Sequence, residues 1–260
     1  MLSKAIIKRC SVRKYTNQPV SKDIFTVLNE EINNIKPLFP ELKYQIDIVK
    51  DGLSFQKILG GIIGSYGKIY APHYLVGSCT NETNSYENIG FMLEYLVLRL
   101  TELNIGTCWI GGGIKRELLN EYLQLDNDLI PIIVIAFGYP QEMEVFRSNL
   151  KDFKRKPIEK IVCGNYQGYS DVMNLVRLAP SAINSQPWLY DFENNNQVNV
   201  FRIKPSFIMK PFINELNRID IGISLCHFAI GLNEKNLAFS VIEQPKELRN
   251  FHYYKTLLIK

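Results

Sequence analysis

Ala179-Pro180-Ser181-Ala182-Ile183-Asn184-Ser185-Gln186-Pro187-Trp188 is the stretch on which the reading of this chain turns. It follows an amphipathic segment, Asp171 to Leu178, and proline biases the residue before it away from helix. A helix is therefore expected to stop near Leu178 and to give way to open backbone. Main-chain N–H groups, the Ser181 and Ser185 hydroxyls and the Asn184 and Gln186 amides would then be free to bond something flat and polar. Trp188 reads as a packing anchor, because large aromatics dominate buried contacts.

At the other end of the chain, Arg9-Cys10-Ser11-Val12-Arg13-Lys14-Tyr15 follows a short apolar helix start, Ala5 to Ile7. Arg9, Ser11 and Arg13 alternate, so an extended backbone would point all three to one side. Two guanidinium forks and a hydroxyl suit a phosphate or an electron-rich carbonyl edge. Taken alone, the run reads equally well as a solvated basic turn.

Together these segments resemble the nitroreductase family of flavoproteins, in which an Arg-x-Ser-x-Arg element and a Pro-Ser-x-x-Asn-x-Gln-Pro-Trp element both hold FMN. Two further stretches resemble the same family. One is Ala71-Pro72-His73-Tyr74-Leu75-Val76; the other runs from Asn88-Ile89-Gly90 through a long helix to Gly106-Thr107-Cys108-Trp109-Ile110-Gly111-Gly112. The resemblance implies FMN-binding roles for particular residues. Arg9, Cys10, Ser11 and Arg13 would hold the phosphate and the pyrimidine edge, with Arg155 reaching the phosphate. Ile110, Gly111 and Gly112 would turn backbone N–H groups toward flavin N5 and O4. Pro180, Ser181, Ala182, Asn184 and Gln186 would close the opposite side of the ring. No catalytic side chain is implied, since the flavin itself carries the hydride.

The motifs lie about as far apart as the chain permits, and a faint duplication accounts for it. Asp220 to Asn236 (DIGISLCHFAIGLNEKN) echoes Asn88 to Asn104 (NIGFMLEYLVLRLTELN). Tyr169 to Trp188 likewise takes the place of Ser21 to Pro40, a helix and then a Pro-bearing loop. The chain thus resembles the tandem nitroreductase-like subfamily of thermophilic bacteria. That implies a fused pseudo-dimer of two half-domains, 1–155 and 156–260, sharing one complete FMN pocket. A monomer would suffice to build it.

Composition narrows the remaining classes. With 46% hydrophobic and 22% charged residues, the 260-residue chain has material for one or two cores. No run of about 18 uncharged apolar residues suggests a membrane span, and Met1 to Lys8 is too short and too quickly basic for a secretory signal. Five scattered cysteines read as reduced thiols, so a cytoplasmic protein is expected. A net charge of +4 without an aromatic-laced basic stripe argues against nucleic acid. His73, His227 and His252 share no metal-ligand spacing with Cys, Asp or Glu, so no metal is expected.

Periodicity predicts helices over 22–35, capped by Ser21, and over 88–103, apolar nearly all the way round and hence buried between two halves. It predicts strands at 44–49, 74–78, 132–137, 197–203 and 252–259, with 141–155 as a polar linker. The class is α+β, a sheet sandwiched by helices. The expected activity is FMN-dependent reduction of nitroaromatics, quinones or similar flat acceptors by NAD(P)H, with ping-pong kinetics through flavin N5. The other reading kept open is a flavin store or sensor with little turnover.

Overall fold

The first half of the chain runs α1 (Leu2–Lys8), α2 (Lys22–Asn34), β1 (Tyr44–Val49), α3 (Gly52–Leu59), β2 (His73–Cys79), α4 (Ser85–Glu102), β3 (Gly106–Ile110), α5 (Arg116–Leu123) and β4 (Ile130–Gly138). The second runs β5 (Val162–Gly164), α6 (Ser170–Leu178), β6 (Trp188–Asn194), β7 (Gln197–Ile203), α7 (Lys210–Asn233), β8 (Phe239–Ile242) and β9 (Phe251–Ile259). These elements come from a computed structural model that describes residues 1–59, 69–111, 116–149, 153–205 and 210–260.

Each half builds its own sheet. The order is β1-β2-β4-β3 in the first and β5-β6-β7-β9-β8 in the second. All pairs are antiparallel except β5 with β6. Leaving out α1, α3, α5 and β5, both halves run helix, strand, strand, long helix, strand, strand. The two sheets then share one order, so the duplication seen in sequence is a duplication of topology.

The long helices α4 and α7 pack against each other between the sheets, and their contact is reciprocal. A Cβ built on Gly90 would lie 2.2 Å from Ile219 O, and one on Gly222 only 1.9 Å from Glu87 O. Each glycine meets the carbonyl standing three residues before its counterpart on the other helix. Both helices also stop in the same way. Asn104 and Asn236 take left-handed φ of 61° and 57°. The next N–H then reaches back, from Ile105 to Leu100 O at 2.9 Å and from Leu237 to Leu232 O at 3.0 Å. The repeated Ile-Gly and terminal Asn are thus structural necessities at a two-fold-like crossing.

The apolar run of β4 is uninterrupted because its sheet is covered on both faces. Along β2, Leu75 faces the core around α4, while Tyr74 and Val76 face a second cluster holding Phe55 of α3 and Leu119 of α5. Trp188 is fully buried, as a packing anchor should be.

Several elements differ from the sequence reading. Ser21 precedes α2 but makes no side-chain cap bond. α7 begins at Lys210, ten residues before the predicted repeat, and α4 begins at Ser85. Strands β3, β5, β6 and β8 and helices α3 and α5 carry too short a pattern to stand out. The stretch 141–155 is no free linker: Arg147 N–H bonds Lys8 O at 3.0 Å and Cys10 Sγ lies 3.1 Å from Val145 O, tying it to the N-terminal segment.

Candidate active site

Past α1 the chain is extended and lies beside β3, with Ser11 bridged in parallel to Thr107 and Val12 N–H bonded to Thr107 O at 2.9 Å. Alternation then sorts the side chains. Cys10 and Val12 turn into the protein, while Arg9, Ser11 and Arg13 line a cavity of about 420 Å³. The opposite wall is the loop after α6, with Pro180, Ser181, Ala182, Ile183 and Asn184. α7 contributes Leu216, Ile219, Asp220 and Ile223, and β3 with the residue after it contributes Cys108, Trp109 and Gly111. Elements of both halves therefore close on one space.

Of the residues singled out in sequence, Arg9, Ser11, Arg13, Gly111, Arg155, Pro180, Ser181, Ala182 and Asn184 all line this cavity. Gly112 lies outside the described residues. Cys10, Ile110 and Gln186 do not line it. Cys10 and Ile110 point to the buried side of extended segments. Gln186 is fully buried as a brace, its Oε1 accepting from Lys156 N–H at 2.8 Å and its Nε2 donating to Arg177 O at 3.2 Å.

The loop is less free than its sequence suggests. Ser181 Oγ accepts from Gln186 N–H at 2.8 Å, and Ala182 N–H is held by both Asp220 oxygens at 3.1 and 3.2 Å. Asn184 uses its amide on its neighbours: Nδ2 donates to Lys154 O and Oδ1 accepts from Arg155 Nη1, both at 2.7 Å. The amide that the sequence offers to a ligand instead aims a guanidinium. Ile183, Asn184 and Gln186 all have left-handed φ (49°, 58° and 43°), and Ile183 is β-branched and 70% exposed. A residue of that kind there stores strain, which surrounding bonds must hold in place.

Four guanidiniums meet at the cavity: Arg9, Arg13, Arg155 and Arg147, the last unforeseen because nothing but its charge marks it within 141–155. Arg147 donates to Arg9 O and lies over the Phe153 ring, 4.1 Å from its centroid. Burial, and then the nearby Arg9 and Arg147 charges, push Arg155 down to about 9. Arg9 is 2% exposed, and its Nη1, like Arg155 Nε, is buried with no hydrogen-bond partner. Buried donors of one sign, repelling one another, suit a compact dianion with several acceptor oxygens. The phosphate of FMN fits that description, and the apolar remainder of the wall (Trp109, Ile133, Leu216, Ile219, Ile223) fits a flat aromatic ring.

Trp109 is set from behind. Its Nε1 donates to Glu94 Oε2 at 3.1 Å, Glu94 Oε1 lies 2.9 Å from His227 Nε2, and His227 Nδ1 lies 2.9 Å from Leu175 O. Glu94 and His227 are fully buried and join α4 to α7. Both ring nitrogens of His227 thus have a partner.

Comparisons with known proteins agree with the geometry. A putative nitroreductase of Thermotoga maritima has 20% identity and a TM-score of 0.62, covering 99% of this chain and 92% of its own. An FMN-dependent nitroreductase of Clostridium difficile R20291 has 22% identity and a TM-score of 0.50, covering 64% of this chain and 99% of its own. An enzyme of Bacteroides thetaiotaomicron, described as a putative NADH dehydrogenase/NAD(P)H nitroreductase, has 17% identity and a TM-score of 0.51, covering 63% and 96%. The single-length relatives thus account for about two thirds of this chain, whereas the Thermotoga protein spans nearly all of it. No curated protein matches in sequence. Residues 1–232 match the family model described as "Putative TM nitroreductase", and the chain, built as two halves around one basic and aromatic cavity, belongs to that nitroreductase family.

Proposed function

We propose that this protein is an FMN-dependent oxidoreductase that takes reducing equivalents from NAD(P)H and passes them to a nitroaromatic, quinone or similar flat acceptor. The observation that carries the reading is the convergence of Arg9, Arg13, Arg147 and Arg155 on a cavity that both halves share and whose remaining wall includes the apolar Trp109, Ile133, Leu216, Ile219 and Ile223. When bound, FMN supplies the hydride-accepting and hydride-donating centre that no side chain here provides. Arg9 and Arg155 hold the phosphate with their buried donors, and Arg147 braces Arg9 through its carbonyl. Ser11 and Arg13 stand on the same side of the extended segment and suit the pyrimidine edge. Leu216, Ile219 and Ile223 exclude water from the ring, while Gly111 keeps the wall open: a Cβ there would come within 2.6 Å of Leu216 Cδ2. One cavity serves reductant and acceptor in turn, so ping-pong kinetics are expected.

In this reading the halves are 1–155 and 156–260, one chain holds one site, and the protein works in the cytoplasm on small molecules as a monomer. The test is the visible spectrum of the purified protein. Oxidised-flavin bands that bleach with NADH or NADPH support an enzyme over a flavin store. Replacing Arg9 and Arg13 together by Ala should remove the bands. A wild-type protein that stays colourless after incubation with FMN would sink the reading.

A further inference from the structure

The motifs that resemble the nitroreductase family contain no acid, and on sequence alone the acceptor's proton would come from water. The folded chain supplies one. Asp220, on the cavity wall formed by α7, lines the cavity and is 3% exposed. Among the described residues its carboxyl meets a single donor, the Ala182 N–H, which both oxygens share. Its apolar company is Ile219 and Ile223 on its own helix and Ile183 on the loop opposite.

Among the described residues no cation is paired with it. Across the helix crossing, α4 presents Glu87, held by Arg218 of α7 at 3.0 Å, and Glu94, held by His227. The loop after α6 gives Asp220 the Ala182 N–H and brings no charged side chain of its own to the cavity. The guanidiniums of the same cavity are Arg9, Arg13, Arg147 and Arg155, and none of them bonds Asp220. Burial therefore pushes its carboxyl well above the usual carboxylate range, opposed only by the Ala182 N–H. A neutral carboxyl in this place has an O–H that no described protein acceptor takes, and it lies in the cavity wall where a ligand can accept it.

The duplication supplies an internal control. Asn88 holds the matching position on α4, where its Oδ1 accepts from Phe39 N–H at 3.2 Å and its Nδ2 donates to Phe39 O at 3.1 Å. Bracing the loop thus needs no more than an amide. An acid stands only in the half that faces the basic cavity.

We propose that Asp220 is the proton-donating catalytic residue of this cavity. The inference rests on the function proposed above. In the reduction of a quinone, the acceptor takes a hydride that derives from NAD(P)H, two electrons with one hydrogen nucleus, and needs one proton besides. The Asp220 O–H bond breaks, its proton goes to the second quinone oxygen, and hydroquinone forms. The carboxylate left behind takes a proton from solvent before the next turnover.

The test is the Asp220→Asn variant, which keeps the acceptor for Ala182 N–H as Asn88 keeps one for Phe39. Stopped-flow traces would follow bleaching of bound flavin by NADPH and its recovery with a quinone. The recovery step should slow about a hundredfold more than the bleaching step, and it should lose the alkaline decline expected of wild type. Thermal melts give a second readout. Because the folded-state pKa is raised, the stability that Asp220 contributes is present below its unfolded value and lost as pH rises through the folded value. Asp220→Asn should therefore gain melting temperature over wild type as pH rises. In the infrared, the wild type at neutral pH should show the carbonyl stretch of a protonated buried acid, and the variant should not. Equal recovery rates with equal pH profiles, or a wild type without that band, would overturn the role of Asp220 while leaving the flavoprotein intact. A wild type that binds flavin without bleaching would overturn the enzyme reading itself.

Discussion

Ile183 stands in the cavity loop with a left-handed φ of 49°, a conformation that a β-branched residue seldom adopts. The α-helix stops before Ala179 as expected, but the segment after it is not all open backbone: Ala182–Asn184 form a 3-10 turn, and the polar groups turn inward, onto Lys154, Arg155 and one another. The reason is local: left-handed residues at 183, 184 and 186 curl the loop so that its amides meet its neighbours. Asparagine tolerates this backbone and isoleucine does not. Ile183→Asn should therefore stabilise the protein by about 1 kcal/mol in a denaturant titration. It should leave the loop's hydrogen bonds in place, because the Ile183 side chain is exposed and none of those bonds uses it. A drop in stability would mean that Ile183 is held by contacts worth more than its strain.

At the scale of elements, the crossing of α4 and α7 decides whether there is a site at all. Glu87 O and Ile219 O sit where a Cβ would be, so the two glycines allow backbone against backbone. The obstacle in each case is main chain, which cannot swing aside as a side chain does. Gly222→Ala should cost about 3 kcal/mol or more, read from the denaturation midpoint, and should weaken flavin retention by prising the halves apart. By contrast, Gly111→Ala meets the end of the flexible Leu216 side chain and should be tolerated far better. The same reasoning explains which elements could be foreseen. α4 and β4 carry long patterns set by burial, whereas β3, β6 and β8 are short strands whose identity comes from the neighbours they pair with.

For the molecule as a whole, the two-fold relation is kept in topology and broken in chemistry. The groove on the other side of the helix pair is lined by Leu38, Phe39, Phe91, Tyr95, Leu237 and Val241 among others, with Lys36 the only Lys or Arg among the described residues that line it. Without a guanidinium cluster it has nothing to hold a phosphate, so flavin released from pure protein should equal one per chain. A ratio of two would show that the second groove binds by other means. Much of this was determined by sequence alone: the class, the family resemblance, the Ile-Gly repeat, and the alternation that puts Arg9, Ser11 and Arg13 on one side. Such features depend on local periodicity or on motifs that carry their own geometry. Tertiary structure alone decided that Arg147 joins the cluster, that Asn184 serves Arg155, that Glu94 and His227 fix Trp109, and that Asp220 faces the cavity. Those roles belong to no local pattern, because burial and the partners met across the fold set what a polar side chain does, and both exist only once the halves have closed on each other.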